Sequence, residues 1–199
     1  MNILIVTGHP KKENHTLLIA DTYKIESERL GHQTKTLNVY SPEFILPFMT
    51  FEKDSLDIKD QAKIKKMQEM VTWAGEIVII HPVWWACMPA GLKNWADAMF
   101  SPHFAYKYNE KGKVVPLLTG KIAKVFCTAG SYASYYNLPI ISFFTPLHII
   151  WKYAILGFSG IELVEMKVRD KMNVNNSCPP EGCFETFLKK IKKSARKHY

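Results

Sequence analysis

Three short stretches of the sequence concentrate the residue types that can do chemistry. The first, Thr7-Gly8-His9-Pro10-Lys11-Lys12-Glu13-Asn14-His15-Thr16, ends in hydrogen-bonding side chains where a helix is expected to start. A helix N-terminus carries free N–H groups and a positive partial charge, which suit a phosphate. Asn14 and Thr16 are equally suited to capping that helix. Gly8 is the only glycine there, so the G-x-G-x-x-G pattern of dinucleotide sites is absent. The second stretch, His81-Pro82-Val83-Trp84-Trp85-Ala86-Cys87-Met88-Pro89, sets two tryptophans between prolines. Proline lacks an N–H and fixes φ, so an extended loop presenting its rings to a neighbour is expected; core packing is the alternative use of such a pair. The third, Thr128-Ala129-Gly130-Ser131-Tyr132 leading to Tyr135-Tyr136, has small residues that let backbone amides approach a flat ligand.

The pattern around these stretches says what must position them. Ile3–Val6 reads as a buried strand ending at Gly8, and Leu17–Leu30 as a helix stopped by Gly31. Gln33–Tyr40 reads as a second strand, 41–57 as a long connection, Ile58–Ala74 as a helix and Glu76–His81 as the most strand-like run. A helix over Ala90–Phe100, an irregular aromatic stretch over Ser101–Gly120 and a strand over Lys121–Thr128 follow. A proline-interrupted helical region over Leu138–Phe158 and a strand over Ile161–Val168 come next. Phe184, Phe187, Leu188 and Ile191 mark the inner face of a last helix. Five strands alternating with five helices predict a doubly wound α/β sheet, one domain over residues 1–199. In such sheets ligands bind beyond the carboxyl ends of the strands, where all three stretches fall.

A phosphate at the first loop, flat rings at the second and exposed amides at the third together describe a flavin site. The sequence here resembles the flavodoxin-like NAD(P)H:quinone oxidoreductases, the family of DT-diaphorase and its smaller bacterial relatives. The resemblance is densest in His81-Pro82-Val83-Trp84-Trp85, in Pro89-Ala90-Gly91-Leu92-Lys93-Asn94-Trp95 and in Phe104-Ala105-Tyr106-Lys107-Tyr108. Val6-Thr7-Gly8-His9-Pro10 and Thr128-Ala129-Gly130-Ser131 match the first and third loops, so that most of residues 1–165 is covered. It implies a five-stranded parallel sheet of order 2-1-3-4-5 with helices on both faces. It also implies a homodimer holding a non-covalent flavin, FAD or FMN, reduced by hydride from NAD(P)H and reoxidised by a quinone or similar acceptor. Carried over by position, His9, Asn14, His15 and Thr16 hold the phosphate region. Pro82, Val83, Trp84, Trp85 and Ala86 line the ring. Thr128, Ala129 and Gly130 reach its polar edge, with Tyr135 or Tyr136 as the catalytic donor beside it. Tyr106 and Tyr108 cover the neighbouring subunit's pocket. Longer members carry a histidine six residues after that tyrosine; here the count reaches Ile141 or Ser142, and His148 is the nearest histidine.

Composition narrows the alternatives. The 199 residues are 47% hydrophobic and 22% charged, which excludes a disordered chain. Six of the +8 net charges lie on Lys189, Lys190, Lys192, Lys193, Arg196 and Lys197, leaving +2 elsewhere. The basic character is thus one helix end rather than a face that tracks nucleic acid. Cys87, Cys127, Cys178 and Cys183 form neither a disulfide framework nor a zinc pattern, no metal site is expected, and Cys87 and Cys127 read as apolar fillers with no base beside them. No segment reads as a leader or a membrane span, so a cytoplasmic location without membrane insertion is expected. Phe104, Tyr106 and Tyr108 in an irregular stretch predict a dimer interface. Two other functions fit parts of this pattern: a flavodoxin-type electron carrier, and an ancillary regulatory subunit of a potassium-efflux system.

Overall fold

The computed structural model describes residues 1–50, 56–130, 146–170, 172 and 183–197. Strand β1 (Asn2–Thr7) leads through a loop to helix α1 (His15–Arg29), and β2 (Gln33–Asn38) follows. Helix α2 (Ile58–Trp73), β3 (Glu76–Pro82) and α3 (Ala90–Met99) come next. A short hairpin, β4 (Tyr106–Tyr108) with β5 (Val114–Pro116), precedes β6 (Ile122–Thr128). One α-turn, α4 (Pro146–Ile149), runs straight into a π-helix, π1 (Ile150–Gly157); β7 (Glu162–Arg169) and α5 (Cys183–Ala195) complete the order.

The main sheet is parallel throughout, in the order β2-β1-β3-β6-β7. Numbered as the five expected strands, this is 2-1-3-4-5. Alternation along the central strands builds two cores. Leu4, Val6, Ile77 and Ile79 point to one face, where α2, α3 and Trp151 of π1 cover them. Ile3, Ile5, Val78 and Ile80 point to the other, against Ile19 and Tyr23 of α1 and Phe184, Phe187 and Ile191 of α5. Each residue of β3 is buried, because a central strand covered by helices on both sides has no solvent face.

Two expectations need correction. The aromatic stretch 101–120 is not irregular throughout, since Tyr106 pairs with Pro116 and Tyr108 with Val114 in an antiparallel ladder. The proline-interrupted region begins, within the described residues, at Pro146 and is mostly π-helical. Pro146 lies in the α-turn at the edge of the described residues.

Candidate functional site

The sheet delivers β1, β3 and β6 side by side, and the loops after them enclose a cleft of about 850 Å³. The first loop is held close by Gly8, whose N–H donates to Ile80 O (2.9 Å). A Cβ there would lie 2.9 Å from Leu92 of α3, so only glycine permits this approach. The loop ends at Asn14, the cap of α1: its Oδ1 accepts from Leu17 N (2.9 Å) and its Nδ2 donates to Lys11 O (2.6 Å). Capping therefore engages both ends of the Asn14 amide. His15 packs its ring against Phe184 of α5 at 4.8 Å, and His9 faces Trp84 edge-on at 6.0 Å. Burial first, and then the Lys11 charge, lower the His9 pKa, so His9 is a neutral ring that accepts from Lys11 N at 3.0 Å. Thr16, only 1% exposed, has a buried hydroxyl that meets no partner among the described residues.

The second loop is not extended. Trp84 N donates to Cys87 O (2.9 Å) and Cys87 N to Trp84 O (3.0 Å), closing a two-residue turn. Its central residues, Trp85 (φ 50°) and Ala86 (φ 59°), are both left-handed. That is the geometry of a tight hairpin turn, which favours Asn-Gly and here is built from Trp-Ala. Each left-handed side-chain-bearing residue costs roughly 1–2 kcal/mol. Strain of this kind persists where the surroundings impose it, commonly at binding sites. Trp84 is 43% exposed and Trp85 fully so, which removes them from the core. Behind the turn, Val83 N donates to Thr128 O (2.7 Å), tying the second loop to the third.

Below these loops His81 is completely buried at the end of β3. It accepts a hydrogen bond from Trp151 Nε1 at its Nε2 (3.1 Å), and its Nδ1 lies 2.8 Å from Pro82 O, to which it donates. Burial pushes its pKa down to about 4, so this neutral tautomer is the one that fits both bonds. Cys127 Sγ lies 3.4 Å from the same Nε2, so a histidine does stand beside one cysteine. Burial raises the thiol pKa, which leaves Cys127 an inert neutral group despite that neighbour.

The cleft lining brings together His9, Asn14, His15, Pro82, Val83, Trp84, Trp85, Thr128, Ala129 and Gly130 from the sequence reading. Thr16 lies buried behind the lining, and Ala86 sits in the turn without reaching the cleft. Tyr135 and Tyr136 lie outside the described residues. Tyr106 and Tyr108 are elsewhere: Tyr106 packs edge-on to Phe158 at 4.7 Å, beside a separate cavity between α3 and π1, and Tyr108 is exposed. The sequence reading gave no role to Lys11, Glu13, Leu18 or Met172, which also line the cleft. Lys11 and Glu13 could have been found as charges in the turn before a helix cap. Met172 arrives because Ala129 N donates to Arg169 O (2.7 Å) and Met172 N to Ala129 O (2.9 Å), a pairing with no local sequence signal. Among the described residues no group of three His, Cys, Asp or Glu side chains could hold a metal, and no helix is long and apolar enough to cross a membrane.

Comparison with known proteins agrees with this geometry. A family model described as flavodoxin-like fold matches residues 1–191. An uncharacterized NAD(P)H oxidoreductase of Haemophilus influenzae is 30% identical over 140 residues, covering 69% of this chain and 68% of its own. An FMN-dependent NADH:quinone oxidoreductase of Coprothermobacter proteolyticus is 23% identical over 187 residues, covering 86% of this chain and 87% of its own. The crystal structure of Smu.1420 from Streptococcus mutans superposes with a TM-score of 0.78 at 26% identity, covering 98% of this chain and 99% of that one. With its parallel sheet in 2-1-3-4-5 order and its ligand-sized cleft at the strand ends, the chain belongs to this family of flavodoxin-like fold.

Proposed function

We propose that the cleft holds a non-covalent FMN and that the protein passes reducing equivalents from NAD(P)H to a quinone or related acceptor. The observation that carries this reading is the meeting, in one cleft, of the α1 N-terminus with Lys11, the exposed Trp84–Trp85 turn and the backbone of Thr128–Gly130. The relatives named for FMN and NADH support the choice of cofactor and donor.

The residues present fit the group. An anionic phosphate matches the α1 N-terminus and the Lys11 ammonium, both of which line the cleft. The tryptophans offer apolar ring surface to the isoalloxazine, and the Gly130 amide, past the end of β6, donates toward its polar edge. When bound, FMN supplies the two-electron chemistry; the protein positions and stabilises it. Val83, tied through Thr128, keeps the second and third loops in register. Neutral His9 adds no charge beside the ring of Trp84. Tyr135 or Tyr136 contributes a further donor at the polar edge, and the reaction takes place in the cytoplasm.

A hydride donor and an acceptor need the same open face of the ring, so the two substrates alternate in a ping-pong cycle. The second subunit of a homodimer closes that face, with Tyr106 and Tyr108 as its contribution. The test is to release the chromophore by heat, identify it, and reduce the holoprotein anaerobically with NADPH. A yellow protein that yields FMN and is bleached by NADPH is expected, with parallel double-reciprocal plots against a quinone. A protein that takes up no flavin overturns the reading. FMN bound but untouched by either nicotinamide makes it an electron carrier, and intersecting plots end the shared-face cycle.

A further inference from the structure

Helix α5 turns Phe184, Phe187, Ile191 and Ala195 into the core. Lys189, Lys192 and Lys193 follow one another at i, i+3 and i+4 on the opposite face, and Arg196 and Lys197 carry the row past the last turn. All five are exposed, and together they surround one shallow depression of the surface. No Asp or Glu follows Glu185 in the sequence.

Solvation alone does not call for this arrangement. Like charges at i, i+4 destabilise a helix, and the stripe holds such pairs at Lys189–Lys193 and Lys192–Arg196. Cations near a helix C-terminus do answer its negative end. That end already has the buried Lys124 ammonium 3.0 Å from Ser194 O, and Lys189 stands more than a turn before it.

The neighbouring helix adds a second feature. Helix α1 lies beside α5 on the same face of the sheet, and Arg29 and Arg196 share the Glu26 carboxylate at 2.7 and 2.8 Å. Leu18, Ile25 and Arg29 are exposed and follow at i, i+7 and i+11, one row along α1, with Ile25 64% exposed. An aliphatic row thus flanks the cationic one. Of the acids on the two helices, Glu26 is held by the arginines and Glu28 lies 3.9 Å from Lys24, and only Asp21 and Glu185 remain.

Lysines beside exposed aliphatic side chains suit an anionic lipid surface, where headgroups attract the charge and the acyl boundary takes the aliphatics. A nucleic acid would match the charge but not the aliphatic row. Nor is any Phe, Tyr or Trp ring of either helix exposed, among the described residues, to stack on a base. We propose that the α1–α5 face docks peripherally on an anionic phospholipid bilayer, with the lysine stripe among the headgroups and Leu18 and Ile25 at the acyl boundary. Docking needs no flavin, so it stands or falls independently of the cofactor reading.

The test sediments the full chain with vesicles of phosphatidylcholine alone, and of phosphatidylcholine with about one-third phosphatidylglycerol, at low salt and at about 0.5 M NaCl. Binding to the anionic vesicles alone is expected, weakened about tenfold or more by the higher salt. Lys189→Gln/Lys193→Gln, at exposed positions, should weaken it about tenfold or more. Lys59→Gln/Lys65→Gln, on α2 across the sheet, removes the same net charge and should leave binding nearly unchanged. Ile25→Ser removes no charge and should weaken it several-fold. Melting temperatures no lower than that of the wild type separate loss of docking from loss of fold. Equal binding to neutral vesicles, no binding to anionic ones at low salt, or equal losses in the α2 and α5 variants overturn the proposal. So does random-sequence duplex DNA bound more tightly than the vesicles and indifferent to Ile25→Ser, which would make the stripe a nucleic-acid surface.

Discussion

The two ends of the parallel sheet treat their polar groups in opposite ways. At the N-terminal end, Lys124 is buried in β6 and its ammonium is fully engaged. It pairs with Glu76 (2.9 Å) and donates to Tyr23 Oη (2.9 Å), Ser194 O (3.0 Å) and Lys197 O (3.2 Å). The last two are carbonyls at and just beyond the end of α5, so the ammonium fastens the C-terminal segment to the sheet. Ser194 also donates to Glu165, and Arg196 to Glu26, so the last turn of α5 is tied on three sides. At the C-terminal end, by contrast, a buried Thr16 hydroxyl has no partner among the described residues, two tryptophans face solvent, and the turn carrying them is strained. The first end spends its buried charges on holding the fold, with the Ser27 hydroxyl the exception that lacks a partner among the described residues, and the second exposes its rings on a strained turn. Damage at the first should therefore appear as lost stability, and damage at the second as lost binding.

The largest effect is expected at the closed end. Lys124→Met leaves the buried Glu76 carboxylate without its counter-charge, with only the Tyr23 hydroxyl on it, and takes the ammonium from two carbonyls at the end of α5, which costs about 3–5 kcal/mol. Denaturant melts should show that loss, while the protein that stays folded binds FMN as before. Adding Glu76→Gln removes the orphaned charge and should recover part of the loss. A Lys124→Met protein of unchanged stability but impaired FMN binding would reverse the assignment of the two ends.

His81 lies between the ends in character: it is satisfied like the first and sits directly beneath the second. Folded, it stays neutral down to about pH 4; unfolded, it titrates near 6.5. The unfolded chain therefore binds the extra proton in that window. His81's share of the stability is complete above about pH 6.5 and is lost as pH falls toward 4, about 3 kcal/mol in all. Glu26 is held down to about 2 by hydrogen bonds from Arg29 and then Arg196, so its share is complete above about pH 4.5 and is lost as pH falls from there toward 2. The two windows are separable, and His81→Gln should flatten the upper one alone. A wild-type stability unchanged between pH 7 and 5 would show that His81 is not buried neutral.

At the open end, Trp84→Ala and Trp85→Ala should weaken FMN retention by about tenfold, the scale of a lost aromatic contact. Trp85→Ala should leave the melting temperature unchanged, since its ring is wholly in solvent. Equilibrium dialysis of FMN against each variant measures the first claim, and calorimetry of the apoprotein the second. A Trp85→Ala protein that loses stability but not FMN would mean the ring packs within the fold.

What could be read in the sequence follows the same division. Strands such as Ile77–Ile80 and helix faces such as Phe184, Phe187 and Ile191 declare themselves because period and burial coincide locally. The convergence of the three loops on one cleft was legible as well, because each follows a strand whose carboxyl end the pattern places on the same side of the sheet. The turn at Trp85–Ala86 was not, because positive φ is signalled by Asn or Gly and neither stands there. The partnership of Lys124 with Ser194 and Lys197 was invisible for another reason: it joins residues about seventy positions apart through a lysine that any pattern assigns to the surface. The β4–β5 hairpin escaped because each strand is only three residues long.

The smallest expected effect tests whether strain at the open end is stored in the turn itself. Glycine adopts left-handed φ without a Cβ clash, so Ala86→Gly should relax one of the two strained positions. Its loss of conformational freedom on folding opposes the gain, and the net stabilisation should be about 1 kcal/mol or less. Ala86→Val, branched at Cβ, should destabilise by more than Ala86→Gly stabilises, because bulk at positive φ deepens the clash. Urea midpoints for the pair, measured without FMN, decide the matter. If Ala86→Gly lowers the midpoint, the positive φ is not a cost carried by the turn, and the contrast between the ends rests on exposure and missing partners alone.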